Sequence, residues 1–142
     1  MGVRLSLRAS TIAVAGCALA IGLLAAAGAS AEDRPLKIGL IEPMTGPFAS
    51  TGAETVAAVK LYMAQHGDTV AGRKIEVLIR DDTGLAPDIT KRFAQQLITN
   101  DHAEIIAGFG LTPLAFAAAP VATAAKVPMI VMNAGSLSVP QK

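Results

Sequence analysis

The sequence predicts an α/β fold: a parallel sheet with helices on both faces. Three observations predict it. Short apolar runs of strand length alternate with longer segments of helical period. Gly, Pro, Asp or Asn separates the segments. Four such strand-like runs follow one another within roughly 100 residues, from Leu36 to Met132. Strands joined by helices pair in parallel through right-handed crossovers. Counting the predicted strands along the chain, the expected order across the sheet is 2-1-3-4.

The first strand is Leu36–Glu42 (LKIGLIE), an apolar run between Pro35 and Pro43. A helix is predicted over Ala53–Gln65, where Val56, Val59 and Met63 recur at helical spacing and Glu54 lies in the first turn. Ser50 and Thr51 are its candidate N-caps, and Gly67 its stop. The second strand is Lys74–Arg80 (KIEVLIR). The second helix is Asp88–Thr99, with Pro87 at its entry and Ile89, Phe93 and Leu97 on one face. Glu104–Phe109 (EIIAGF) is the third strand. The third helix starts near Thr112-Pro113 and runs to about Ala125; Pro120 removes a backbone donor inside it, so a kink or break is expected there. Pro128–Met132 (PMIVM) is the fourth strand.

A separate signal precedes this alternation. Arg4 and Arg8 supply a positive start, Thr11 to Ala27 is apolar and uncharged, and Ala29-Ser30-Ala31 offers the small-x-small pattern that signal peptidase reads, before Glu32-Asp33. Residues 1–31 are therefore expected to be a secretory signal cleaved after Ala31, which delivers the protein to the periplasm. The apolar run is about 17 residues, near the lower limit of a membrane span, so a retained anchor is one alternative. Val14-Ala15-Gly16-Cys17 has the form of a lipoprotein box and makes acylation at Cys17 another. The chain stays apolar after Cys17, which favours cleavage at Ala31.

Without the signal, and so without Arg4 and Arg8, the formal charge passes from +1 to −1. A near-neutral chain lacks the basic surface that nucleic acid requires. Cys17 is the only cysteine, so residues 32–142 carry neither disulfide nor thiolate chemistry. His66 and His102 stand far apart, and no H-E-x-x-H, C-x-x-C or G-x-S-x-G occurs. No catalytic residue, metal or cofactor is implied. Tyr62 is the only tyrosine and there is no tryptophan, so a stacking platform for bases is missing.

In an open parallel sheet, ligands bind beyond the carboxyl ends of the strands where the strand order reverses. Four loops lie there. Pro43–Gly52 carries glycine and hydroxyl residues without the spacing of a phosphate loop. Asp81-Asp82 reads as a cap and turn more readily than as a ribose contact, since the glycine fingerprint is missing. Gly108–Pro113 places Thr112 at the expected N-cap of the third helix, where free amides suit a carboxylate; plain capping and ligand contact are equal readings of it. Asn133-Ala134-Gly135-Ser136 offers carbonyls and a hydroxyl, or is an ordinary loop.

Leu36 to Gly52 (LKIGLIEPMTGPFASTG), Ala71-Gly72-Arg73-Lys74, Asp81-Asp82 and Val127 to Ala134 (VPMIVMNA) together resemble the branched-chain amino-acid-type periplasmic binding proteins of ABC transporters. The resemblance covers essentially all of residues 32–142. It implies a type I periplasmic-binding-protein lobe, Rossmann-like, of which this chain is the N-terminal part, with the hinge and second lobe outside it. It also implies a cofactor-free, non-enzymatic solute receptor serving ABC permease subunits, monomeric when full length. The ligand's polar end would meet Thr112, Ala134 and Ser136, with Thr51 flanking its side chain. Thr112-Pro113-Leu114 and Gly135 depart from the pattern of leucine-type relatives, which leaves amino acids, amides, urea-like solutes and aromatic acids open as ligands. The competing classes are an exported nucleotide- or phosphate-using enzyme on a similar sheet and the sensing domain of a receptor.

Overall fold

A computed structural model describes residues 34–136. The predicted signal, its cleavage site at Ala31, Cys17 and the residues after Ser136 lie outside the described residues. The elements run β1 (Leu36–Glu42), α1 (Ala49–His66), β2 (Thr69–Val70), β3 (Arg73–Asp81), α2 (Pro87–Thr99), β4 (Ile105–Gly108), α3 (Thr112–Ala125) and β5 (Met129–Val131). The sheet order is β2-β3-β1-β4-β5. Its four parallel strands are those expected from the sequence, in the expected order, with β1 paired to β3 from Leu36↔Ile75 to Glu42↔Asp81 and to β4 from Ile38↔Ile105 to Ile41↔Gly108.

Side chains alternate between the two faces as the pleat demands. Leu40 and Ala107, with Ile38, Val77 and Ile79, pack towards Val56 and Val59 of α1. Ile41 and Ile106, with Leu78, pack on the other face against Ala94 and Leu97 of α2 and Ala115, Ala118 and Ala122 of α3. Gly39 lets α2 approach closely: a Cβ there would lie 2.7 Å from a Leu97 methyl. The second face thus carries two helices and the first carries one, and on the first Ile130 and Met132 remain exposed.

Four local expectations are corrected. β2 was not expected; it forms a hairpin with β3 through Ala71 and Gly72, both at positive φ, as a two-residue turn requires. Alanine rarely takes the first of those positions, which hid the turn. Helix α1 starts four residues early. Phe48 is its N-cap, without a side-chain cap bond, and Ser50 and Thr51 lie in its first turn. The turn bond from Ala49 N–H to the Gly46 carbonyl (3.2 Å) begins the helix before either hydroxyl residue. Thr112 is not the N-cap of α3; Leu111, extended, holds that place. Finally, α3 continues through Pro120. Pro120 is exposed, while Leu114, Ala115, Ala118 and Ala122 bury the opposite stripe. That burial offsets the lost backbone bond.

Candidate functional site

The carboxyl ends of β1 and β4 meet where the order of strands reverses, since β3 lies to one side of β1 and β5 beyond β4. The loops there are joined by polar contacts, some exposed and some buried. Asp81, at the end of β3, accepts from the backbone N–H of Met44 (2.9 Å), Thr45 (3.3 Å) and Thr83 (2.9 Å), and from Thr45 Oγ1 at 2.7 Å. Burial raises its pKa, but these donors outweigh it and hold the carboxyl below the usual value. Asp82 is fully buried; it accepts from Gly84 N–H (3.0 Å) and from Thr90 Oγ1 of α2 (2.8 Å). Burial raises its pKa despite these bonds. The acid pair therefore works as turn and cap, one residue tying down the β1–α1 loop and the other the entry to α2.

Glu42, the last residue of β1, is also fully buried. The Asn133 amide donates to its two oxygens at 3.2 and 3.4 Å and to Thr55 Oγ1 of α1 at 3.0 Å. The Thr55 hydroxyl in turn donates to the Thr51 carbonyl at 3.1 Å. Burial drives the Glu42 pKa up, the Asn133 bond draws it down and the charge of Asp82 raises it again, leaving it at about 7. Sequence reasoning missed both Glu42 and Asn133. The available signal was an acid at the end of an apolar strand and an amide at the end of another, and only their proximity gives it meaning.

Between β4 and α3 the chain turns sharply. Gly108 and Phe109 both have positive φ (110° and 72°), and Phe109 is fully buried. The turn lays Gly110 against Pro43, where a Cβ would meet the ring at 3.0 Å. Helix α3 then starts with Thr112 half-buried and Pro113 next to it, so the helix end has lost one amide donor and no hydroxyl caps it. Among the sequence-predicted residues, Thr112 begins α3, and Thr51 lies in the first turn of α1, joined through Thr55 to Asn133. Ala134 and Ser136 line an open groove of about 750 Å³ along the β5 edge, together with Ala122, Val127 and Met129. Thr51 and the Asn133 loop are thus linked through the Thr55 hydroxyl, whereas Thr112 is connected to them along the chain, by way of the Gly108–Gly110 turn.

This is a Rossmann-like parallel sheet with its loops gathered at a switch point, where open α/β folds place their ligands. The periplasmic binding protein family profile matches residues 35–141, and the chain belongs to that family. The Leu/Ile/Val-binding protein homolog 6 of Brucella abortus is 40% identical over 129 residues, covering 91% of this chain and 33% of that protein. A solute-binding protein of an ABC transporter from Rhodopseudomonas palustris BisB5, solved in complex with 3,4-dihydroxybenzoic acid, is 59% identical with a TM-score of 0.74, over 75% of this chain and 29% of that one. A second R. palustris solute-binding protein, solved with 4-hydroxybenzoate, is 37% identical with a TM-score of 0.73 over the same shares. The chain spans about a third of the length of the curated relatives it matches.

Proposed function

We propose that this chain is the N-terminal part of the first lobe of an extracytoplasmic solute receptor that takes small aromatic carboxylic acids and delivers them to ABC permease subunits. The observation that carries the reading is the 59% identity to a receptor solved with 3,4-dihydroxybenzoic acid. The departures at Thr112-Pro113-Leu114 and Gly135 from leucine-type relatives weigh against an aliphatic amino acid without choosing among the other solutes. The ligand's carboxylate is held at the start of α3, by the Thr112 hydroxyl, which is not spent on capping. Ala134 and Ser136 add contacts from the loop after β5, and Thr51 flanks the ring. Binding is completed by a second lobe closing over the cleft, with no catalytic step and no cofactor. Residues 1–31 act as the cleaved export signal, the receptor is periplasmic, and it works as a monomer.

Calorimetric titration of the full-length protein against aromatic acids, amino acids and amides tests this. Saturable binding of 3,4-dihydroxybenzoate ahead of leucine is expected, and Thr112→Val should weaken it by about 1–3 kcal/mol. Preference for leucine would move the ligand class to amino acids. Unchanged affinity in Thr112→Val would remove that residue from the site.

A further inference from the structure

A buried carboxyl is costly unless it is hydrogen-bonded or neutral. Glu42 is such a group, and three segments close on it. The Asn133 amide binds it from the loop after β5 and reaches Thr55 of α1 with the same nitrogen. The β4–α3 turn passes on another side: a Cβ on Gly108 would lie 3.0 Å from Oε1, and one on Gly110 3.8 Å from Oε2. The register partner Asp81 stands beside it on β3, with its carboxylate turned to the β1–α1 loop, and Asp82 follows. The charge acting on Glu42 is that of Asp82. The other facing groups are neutral: Thr55 from α1, Asn133 from the β5 loop, and Gly108 and Gly110 from the turn.

Glu42 thus lies against the turn that leads to the proposed carboxylate site at the start of α3 and against the loop after β5 that adds contacts to the ligand. Two carboxylates in one water-poor site do not ionise together cheaply. The ligand is an acid ionised at neutral pH, so the group that yields is the buried one.

We infer that Glu42 is a positioning residue that couples ligand capture to proton uptake: its carboxyl, through Asn133, holds the loop after β5, lies against the β4–α3 turn, and takes a proton from solvent when a carboxylate settles on those loops. The inference rests on the proposed reading of the site. Burial that already leaves the group about half ionised at neutral pH, poised to take up a proton, supports it.

The test is titration of the full-length protein with 3,4-dihydroxybenzoate in buffers of differing ionisation enthalpy, between about pH 6 and about pH 8. The expected result is net proton uptake on binding and an affinity that falls above neutrality, by at most about tenfold per pH unit. Glu42→Gln should abolish the uptake and flatten the profile. Asn133→Ala should weaken binding about tenfold or more, because its loop is no longer tied to β1 and α1. Binding without proton uptake overturns the inference, as does uptake that persists in Glu42→Gln. Where Glu42→Gln fails to fold, a wild-type buffer series without proton uptake still overturns the inference, and Glu42→Asp, which shortens the reach to Asn133, should lower both the uptake and the affinity. A wild-type protein with no saturable heat for any aromatic acid or amino acid overturns the functional reading itself, a different result from binding without a linked proton.

Discussion

The Asn133 side-chain amide donates to the Glu42 carboxyl at 3.2 Å, joining the loop after β5 to the end of β1 across 91 positions of sequence. The same nitrogen reaches Thr55 on α1, so one side chain ties together two strands and a helix. β1 and β5 are not neighbours in the sheet, since β4 lies between them. The contact therefore bridges over the end of β4, where the chain turns at Gly108.

Glu42 should make stability depend on pH. Its folded pKa, about 7, stands above the ordinary 4.5. Between those values the folded chain keeps a proton that the unfolded chain has released, so stability is greatest in acid and falls as pH rises to neutrality. The group contributes at most about 3 kcal/mol to this fall. Urea denaturation of the full-length protein at about pH 5 and about pH 8 measures it. Glu42→Gln should reduce the difference, leaving a residual slope from Asp82, whose pKa is raised in the same sense. Equal slopes in both proteins would count against a buried, proton-holding Glu42.

Asp81 should act with the opposite sign. Its folded pKa lies below the ordinary value of 3.8, so its contribution is present above that value and lost as pH falls through the lower folded one. Asp81→Ala removes the acceptor of three backbone N–H groups and one hydroxyl. Partial exposure screens the charge, and a loss of about 1–2 kcal/mol at neutral pH is expected. Faster proteolysis or amide exchange in the Pro43–Gly46 segment would accompany it. A variant with unchanged stability and exchange would show that the loop is held by other contacts.

Gly52 should resist a substitution that usually helps. Replacing a glycine inside a helix with alanine normally gains about 0.5–1 kcal/mol. Here the new Cβ would run into the Pro43 carbonyl and lie 3.3 Å from Met44 Sδ. Gly52→Ala is expected to lower stability by about 2 kcal/mol or more, since the obstacle is backbone rather than a yielding side chain. Thermal denaturation reads the sign directly, and a raised melting temperature would mean that the β1–α1 loop moves aside at little cost.

The parallel sheet was legible because its signals are local and repeated. Leu36–Glu42 is apolar without interruption and flanked by prolines, and the observed β1 has the same limits. Helix α2 differs from the expected range only by Pro87, but it buries Thr90, Ala94 and Leu97, so of the expected Ile89, Phe93 and Leu97 stripe only Leu97 is fully covered. Helix starts were less legible. Hydroxyl residues at Ser50, Thr51 and Thr112 signal caps, yet α1 and α3 begin without one, because turns at Gly46 and at Gly108-Phe109 set where each chain segment first becomes helical.

The sequence by itself determined the alternation, the order of the parallel strands and the loops that gather at their carboxyl ends. Those follow from apolar periodicity, a property of neighbouring residues, and from the handedness of crossovers, a rule common to parallel sheets. It also placed the acid pair at its turn. Tertiary structure alone decided that α3 runs unbroken through Pro120, since burial of the opposite stripe outweighs one missing bond. It alone decided the character of Glu42, which as a residue in a sequence is an ordinary acid at the end of a strand. The fold withdraws it from water, places Asp82 near it and brings Asn133 to it from the far end of the chain, and those three conditions give it the properties of a group that can hold a proton at neutral pH.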